Sequence, residues 1–274
     1  MIYNDIYSTV DSNMSNSNIG VRKNHNICEH LFVVIGIINN VVNNKNTNDV
    51  DIQIYDVAKC FDKLEFTNTA IYFYKAGVID DKFITITNSN KHCEVSIKTP
   101  WGGKTPKIFL SDTEMQGTVL AGLKCSVSID TLGKEALQNT HDIIYKYKKC
   151  TSIPPIGFVD DILAVSECSP DSIKSRATIK AKLSCKQLTL HENKCFIMHV
   201  GRKKNNCSNQ DHEFLKPSSS ERYLGDIISN DMKNYSNIHD RYSKVLNMLT
   251  RLWEYSMKYH LVSSTLSSYV MQNL

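Results

Sequence analysis

Two apolar runs, Ile156-Gly157-Phe158-Val159 and Ile162-Leu163-Ala164-Val165, flank the adjacent acids Asp160-Asp161. Short apolar runs joined by two polar residues form the pattern of a β-hairpin, so the sequence predicts a tight tip carrying both aspartates. Carboxylates held side by side repel each other unless a cation neutralises them. Hard oxygen donors of this type suit Mg2+, which keeps several waters and takes one or two protein carboxylates plus substrate phosphates. By itself an Asp-Asp pair is a weak signal, since an exposed acidic turn is its commonest role.

A third carboxylate raises the weight of the pair. Asp51-Ile52-Gln53-Ile54-Tyr55-Asp56 alternates, which predicts a strand with Ile52, Ile54 and Asp56 on one face and a carboxylate at its end. Cys60-Phe61-Asp62 follows directly. Three carboxylates are the raw material of a two-metal site, which clamps the attacking and leaving oxygens of an in-line displacement.

The rest of the chain reads as α+β with antiparallel pairing. Ile27, Leu31, Val34, Ile38 and Val41 recur at helical spacing, and the asparagine-rich segment 39–49 reads as a loop. Helices are expected over 63–77, 117–137 and 239–259, the last with Val245, Leu249, Leu252 and Trp253 on one face. Strands are expected at 83–87 and 94–99 around the turn signal Asn88-Ser89-Asn90, and at 195–200 and 222–228. Ser169-Pro170-Asp171 is a helix start, with an N-cap, a first-turn proline and an acid, for a helix to about Leu188. Ser218-Ser219-Ser220 marks a flexible turn.

Composition narrows the class. At 274 residues and 41% hydrophobic, the chain can fill a core. No apolar run reaches membrane-spanning length, and the N-terminus lacks the basic-then-apolar layout of a signal peptide, so an intracellular location in nucleus or cytoplasm is expected. The nine cysteines are odd in number and scattered, which favours a reducing compartment. Cys195, Cys207 and His212 fit no common zinc spacing. Residues 1–140 carry 13 basic and 15 acidic side chains of the chain's 32 and 28, leaving 19 and 13 beyond and a second half at +6. Runs such as Lys146-Tyr147-Lys148-Lys149 and Arg202-Lys203-Lys204 suit a phosphate backbone or a solvated surface equally well.

Taken together the motifs resemble those of reverse transcriptases, of the non-LTR retrotransposon (LINE-like) type. Asp56-Val57-Ala58-Lys59-Cys60-Phe61-Asp62 resembles the family's first catalytic motif, and Phe158-Val159-Asp160-Asp161 its aromatic-x-Asp-Asp motif. Gln116-Gly117 resembles the motif that touches the incoming nucleotide. Leu190-His191-Glu192-Asn193-Lys194 resembles the segment whose lysine is a candidate proton donor to pyrophosphate. Tyr223-Leu224-Gly225 resembles the primer-grip hairpin, and Asn18-Ile19-Gly20-Val21-Arg22 the Gly-Phe-Arg block of the fingers, with Val21 where an aromatic is usual. The blocks occur in the family's order from about residue 15 to 260.

The resemblance implies a right-hand polymerase: a palm of antiparallel sheet backed by helices over 51–230, with 82–112 allied to palm or fingers, partial fingers over 1–50 and the start of a thumb over 231–274. It implies RNA-directed DNA synthesis, adding dNTPs to a DNA primer on an RNA template. Two Mg2+ ions, with Mn2+ an alternative, would be held by Asp56, the Val57 backbone, Asp160 and Asp161, with Lys194 as catalytic acid. Arg22, Phe61, Gln116 and Gly117 would contact the nucleotide, and Phe61 would exclude a ribose 2′-hydroxyl. A preceding fingers strand with its triphosphate-binding basic residues and the flanking nuclease domains are not recognised, so a fragment of a mobile-element polyprotein, or a gene prediction over a degraded copy, is expected. The rival readings are a non-catalytic remnant that binds RNA through its basic half, and an RNA-dependent RNA polymerase, which Phe61 opposes. Retention of all three acids opposes the remnant reading.

Overall fold

The computed structural model describes residues 2–44, 47–88, 93–110, 120–139, 145–147, 151–167, 171–201 and 214–231, with 243, 244, 247, 248, 250 and 251. The elements in chain order are α1 (Ile2–Asn13), α2 (Ile27–Asn43), β1 (Val50–Ala58), α3 (Cys60–Lys63), α4 (Phe66–Lys75), α5 (Asp80–Asn88), β2 (Cys93–Val95), β3 (Ile108–Leu110) and α6 (Ala121–Asn139). Then come β4 (Tyr145–Tyr147), β5 (Thr151–Ile153), β6 (Ile156–Phe158), β7 (Asp161–Glu167), α7 (Asp171–Cys185), β8 (Thr189–Leu190), a 3-10 turn Glu192–Lys194, β9 (Phe196–Val200), β10 (Lys216–Pro217), β11 (Ser220–Tyr223) and β12 (Asp226–Ser229).

The central sheet runs β10-β9-β1-β7-β6, with β8 paired to the end of β1. Its pairs are antiparallel except β10 with β9. The middle strand, β1, is covered on both faces. Val50, Ile52 and Ile54 pack with Leu31, Val34, Ile37, Ile38 and Val41 of α2 and with Leu163 and Val165 of β7. Tyr55 and Val57 face the other way, into a cluster with Cys125, Ile129 and Leu132 of α6 and Ile179 and Leu183 of α7.

The alternation predicted for β1 is present, but its polar positions are not solvated. Asp51 is 4% exposed and Gln53 fully buried. The Gln53 amide nitrogen donates to Ser166 Oγ at 3.0 Å and Ser172 Oγ at 2.9 Å, while its carbonyl accepts from the Tyr55 hydroxyl at 2.5 Å. Burying a polar side chain is tolerable because the partners replace water.

Several expected elements shift. Helix α2 runs on to Asn43, five residues into the segment read as a loop, because Val41 at 2% exposure extends the buried stripe. Its start has a capping box: Asn26 Oδ1 accepts from the Cys28 amide and Glu29 accepts from the Asn26 amide. The helix expected over 63–77 begins only at Phe66, as α4, because the backbone is extended at Leu64 and Glu65 after the short α3. It ends where Gly77 takes φ +84° and Val78 donates back to the Phe73 carbonyl.

The strand expected at 83–87 is instead helix α5. Its alternating β-branched residues favour a strand locally, but Asp80 and Asp81 suit a helix N-terminus. Thr85 and Thr87 turn their hydroxyls onto the carbonyls of Asp81 and Ile84, which leaves Phe83 and Ile86 free to pack with Phe73 and Val78. The segment expected as a strand at 94–99 is strand only at β2, paired with β3. The one strand expected at 222–228 is a hairpin of β11 and β12, closed by Leu224 at φ +49° and Gly225 at φ +88°. Positive φ at both central residues is the two-residue turn that matches strand twist. Helix α6 begins at Ala121 and α7 ends at Cys185. Ser169 and Pro170, Cys207 and His212, the Arg202-Lys203-Lys204 run and most of the 239–259 helix lie outside the described residues.

Candidate active site

The hairpin of β6 and β7 is present with the two aspartates at its turn. Phe158 pairs with Asp161, leaving Val159 and Asp160 at the tip, and Val159 is held at φ +58°. A β-branched residue in the left-handed region is an outlier that the surroundings must enforce. On the other side of β7 the register sets Asp56 directly opposite Asp161. Residues directly opposite across an antiparallel pair share a face, so both carboxylates stand on the face of Ile54 and Leu163.

The end of β1 is further fixed by the segment after α7. His191 donates its amide to the Asp56 carbonyl at 2.9 Å, and Val57 donates to the Asp160 carbonyl at 3.4 Å. The pairing of β8 with Val57 and Ala58 sets the 3-10 turn beside the acids. Lys194 Nζ then comes within 3.4 Å of Asp56 Oδ2, with its side chain 61% exposed and that of Asp56 24%.

Burial pushes the Asp161 carboxyl up to about 6, helped by the negative charges of Asp160 and Asp56 and opposed by Lys194. Asp160 is raised too, first by burial and then by Asp56, against a hydrogen bond from its own backbone and the charge of Lys194. Crowded, partly desolvated acids raised in this way are short of positive charge. Among the described residues no three His, Cys, Asp or Glu side chains are gathered closely enough to cage an ion by themselves. The donor set fits Mg2+ nonetheless, since that ion uses few protein carboxylates and completes its shell with water and phosphate oxygens.

The other residues singled out in the sequence divide. Phe61, in α3, is half-buried and packs at the margin of the cluster around Tyr55 and Cys125. Tyr223 is 2% exposed, its hydroxyl has no hydrogen-bond partner among the described residues, and Leu224 and Gly225 form the turn after it. Burial pushes the Tyr223 phenol upward, with a smaller contribution from the negative charge of Asp161. The Arg22 guanidinium is engaged near its own segment: Nε meets Asp11 Oδ1 at 2.7 Å, and its terminal nitrogens donate to the carbonyls of Ser15, Asn18 and Asp11. Gln116 and Gly117 lie outside the described residues.

Sequence reasoning did not find the contacts beneath the turn. Cys125 Sγ reaches the Val159 carbonyl at 3.4 Å and Cys60 Sγ at 2.7 Å, and Gly20 lies against the Val159 amide. The only signal was the Asn18-x-Gly20 pattern, which carries no indication of what it touches.

No helix among the described residues is long and apolar enough to cross a membrane. No curated protein matches the sequence. Among solved structures, the fold is similar to apo telomerase from Candida tropicalis truncated of its C-terminal domain, at TM-score 0.58 and 13% identity over 85% of this chain and 44% of that one. Telomerase from Candida albicans in complex with a fragment of telomeric RNA gives TM-score 0.57 at 10% identity, over 86% and 39%. An RdRp complex gives 0.52 at 10% identity, over 84% and 19%. The chain therefore spans less than half the length of these structures, and at such identities they show the fold, α+β of polymerase type. The model of the reverse transcriptase (RNA-dependent DNA polymerase) family matches residues 1–228, the interval that holds β1, the β6–β7 turn and Lys194. The chain thus belongs to the reverse transcriptase family.

Proposed function

We propose that this chain is the catalytic core of an RNA-directed DNA polymerase that adds dNTPs to a primer 3′-hydroxyl on an RNA template. The observation that carries the reading is the register of Asp56 against Asp161 across β1 and β7, with Asp160 next in the turn and the two hairpin carboxyls raised. Asp56, Asp160, Asp161 and the Val57 backbone would hold two Mg2+ ions, or Mn2+. Bound there, the ions would supply Lewis-acid stabilisation of charge developing at the α-phosphate. Lys194, exposed and 3.4 Å from Asp56, would offer a proton to departing pyrophosphate. Phe61, following Asp56 by five residues, would fill the space of a ribose 2′-hydroxyl, with Gln116 and Gly117 on the nucleotide. The turn at Tyr223, Leu224 and Gly225 would hold the primer end. Arg22 would support the fingers by fastening the segment from Asp11 to Asn18 rather than by reaching the nucleotide.

In this reading residues 51–230 are the palm, 1–50 part of the fingers, and 231–274 the start of the thumb, with the order of the motifs supporting a non-LTR retrotransposon origin. The test is primer extension on an RNA template, with dNTPs against rNTPs and Mg2+ against Mn2+, beside Asp160→Asn. Extension with dNTPs that Asp160→Asn abolishes is the expected result. Hybrid binding without extension under any metal would instead favour a non-catalytic RNA-binding remnant.

A further inference from the structure

The turn that carries Asp160 rests on a segment more than a hundred residues earlier in the chain. Ile19 donates its amide to the Gly157 carbonyl at 3.2 Å and Gly157 donates to the Ser17 carbonyl at 2.8 Å, so residues 17–19 cover the open edge of β6. Asn18, 1% exposed, is tied on both sides. Its Nδ2 donates to the Ser126 carbonyl at 2.7 Å, and its Oδ1 accepts from the Gly20 amide at 3.1 Å. Ser126 Oγ completes the loop by donating to the Gly20 carbonyl at 3.2 Å. Both peptide groups of Gly20 are therefore held, one by Asn18 and one by α6.

What this clamp presses against is Val159. A Cβ added at Gly20 would lie 2.5 Å from the Val159 amide nitrogen, 2.8 Å from Ser126 Oγ and 3.2 Å from Val159 Cγ2. The first of these is backbone and cannot swing aside. On the carbonyl side Val159 meets Cys125 Sγ at 3.4 Å. Val159 is thus approached closely by Gly20 on its amide side and met by Cys125 on its carbonyl side, at the point where a β-branched residue is held at φ +58° immediately before Asp160.

We propose that Gly20, held by Asn18 and Ser126, is a positioning residue of the carboxylate centre: its bare α-carbon is the seat that sets where Asp160 stands relative to Asp56 and Asp161. The inference rests on the metal-binding reading of those acids. Groups that orient metal ligands typically change metal affinity by about 10- to 100-fold when altered, and a site of this kind tolerates displacements of only about half an ångström.

The test uses the full chain with Mn2+ as the probe. Free Mn2+ is counted by electron paramagnetic resonance, and hydrogen exchange is followed in the peptide spanning 156–163. Gly20→Ala is expected to weaken Mn2+ binding about tenfold or more and to speed exchange at the turn. Val34→Ala, which opens a hole under α2 away from the seat, is expected to lower stability and leave Mn2+ binding unchanged. Where Gly20→Ala does not fold, Ser126→Ala carries the test with a smaller change in the same direction. Faster exchange with unaltered Mn2+ affinity would overturn the inference, reducing Gly20 to a packing residue, and so would no change in either measurement. Asp160→Asn separates the two layers: if it binds Mn2+ as well as the wild type, the metal reading itself is overturned, and the inference with it.

Discussion

Replacing Asp161 by asparagine should stabilise the metal-free protein, although it removes a residue proposed as a metal ligand. The carboxyl is raised from an ordinary 3.8 to about 6, first by burial and then by Asp160 and Asp56. A rise of that size corresponds to about 3 kcal/mol between the protonated and ionised forms. Partial exposure and solvent screening bring the expected gain to about 1–3 kcal/mol at pH 8. The sign follows from linkage. The folded state binds the proton more tightly than the unfolded chain, so this group's stabilising contribution is complete below about pH 4, declines as pH rises, and is lost above about pH 7. The asparagine amide cannot ionise, so the difference between variant and wild type should open between about pH 4 and pH 6 and then level off. Urea unfolding in EDTA from pH 4 to pH 8 measures it. Added Mg2+ should stabilise the wild type and leave Asp161→Asn nearly unmoved, because only a group that binds the folded state shifts the equilibrium. An Asp161→Asn protein less stable than wild type at pH 8 without metal would refute the reasoning, since it would mean that the ionised carboxylate is well compensated where it stands.

Three further outcomes are expected. Phe61→Ala should let rNTPs compete with dNTPs, read as the ratio of incorporation efficiencies. An unchanged ratio with lower activity on both would mark Phe61 as ordinary core, whose truncation typically costs about 3–5 kcal/mol. Tyr223→Phe should raise stability by about 1 kcal/mol in thermal or urea unfolding, because the phenol is buried with no partner among the described residues; a loss of stability would point to a hydrogen bond made by that hydroxyl. Binding to an RNA–DNA hybrid should weaken steeply with salt and survive Asp160→Asn, since Lys and Arg rather than the acids supply backbone affinity. A flat salt response in titrations would leave the basic second half without its proposed role.

The sequence by itself was enough for features governed by neighbours in the chain. Apolar runs on either side of Asp160 and Asp161 prescribe a hairpin, because a turn must join strands that each bury a face. Strict alternation from Asp51 to Asp56 put Asp56 on the Ile54 face, and the register has that parity. The stripe from Ile27 to Val41 prescribed α2 in the same way. Where local preference and packing disagreed, packing decided. Phe83-Ile84-Thr85-Ile86-Thr87 has the composition of a strand, yet burying Ile86 beside Phe73 and Val78 made it helix.

Only the tertiary structure could bring Asp56 opposite Asp161 or turn Lys194 toward Asp56, since those contacts close loops of more than a hundred residues. It alone assigned the Arg22 guanidinium to Asp11, and it alone set Gly20 against Val159. A glycine's role of this kind leaves no mark in sequence beyond the glycine itself. Its function lies in the absence of a Cβ at one point of close approach, and what approaches is determined by the folding of the rest of the chain.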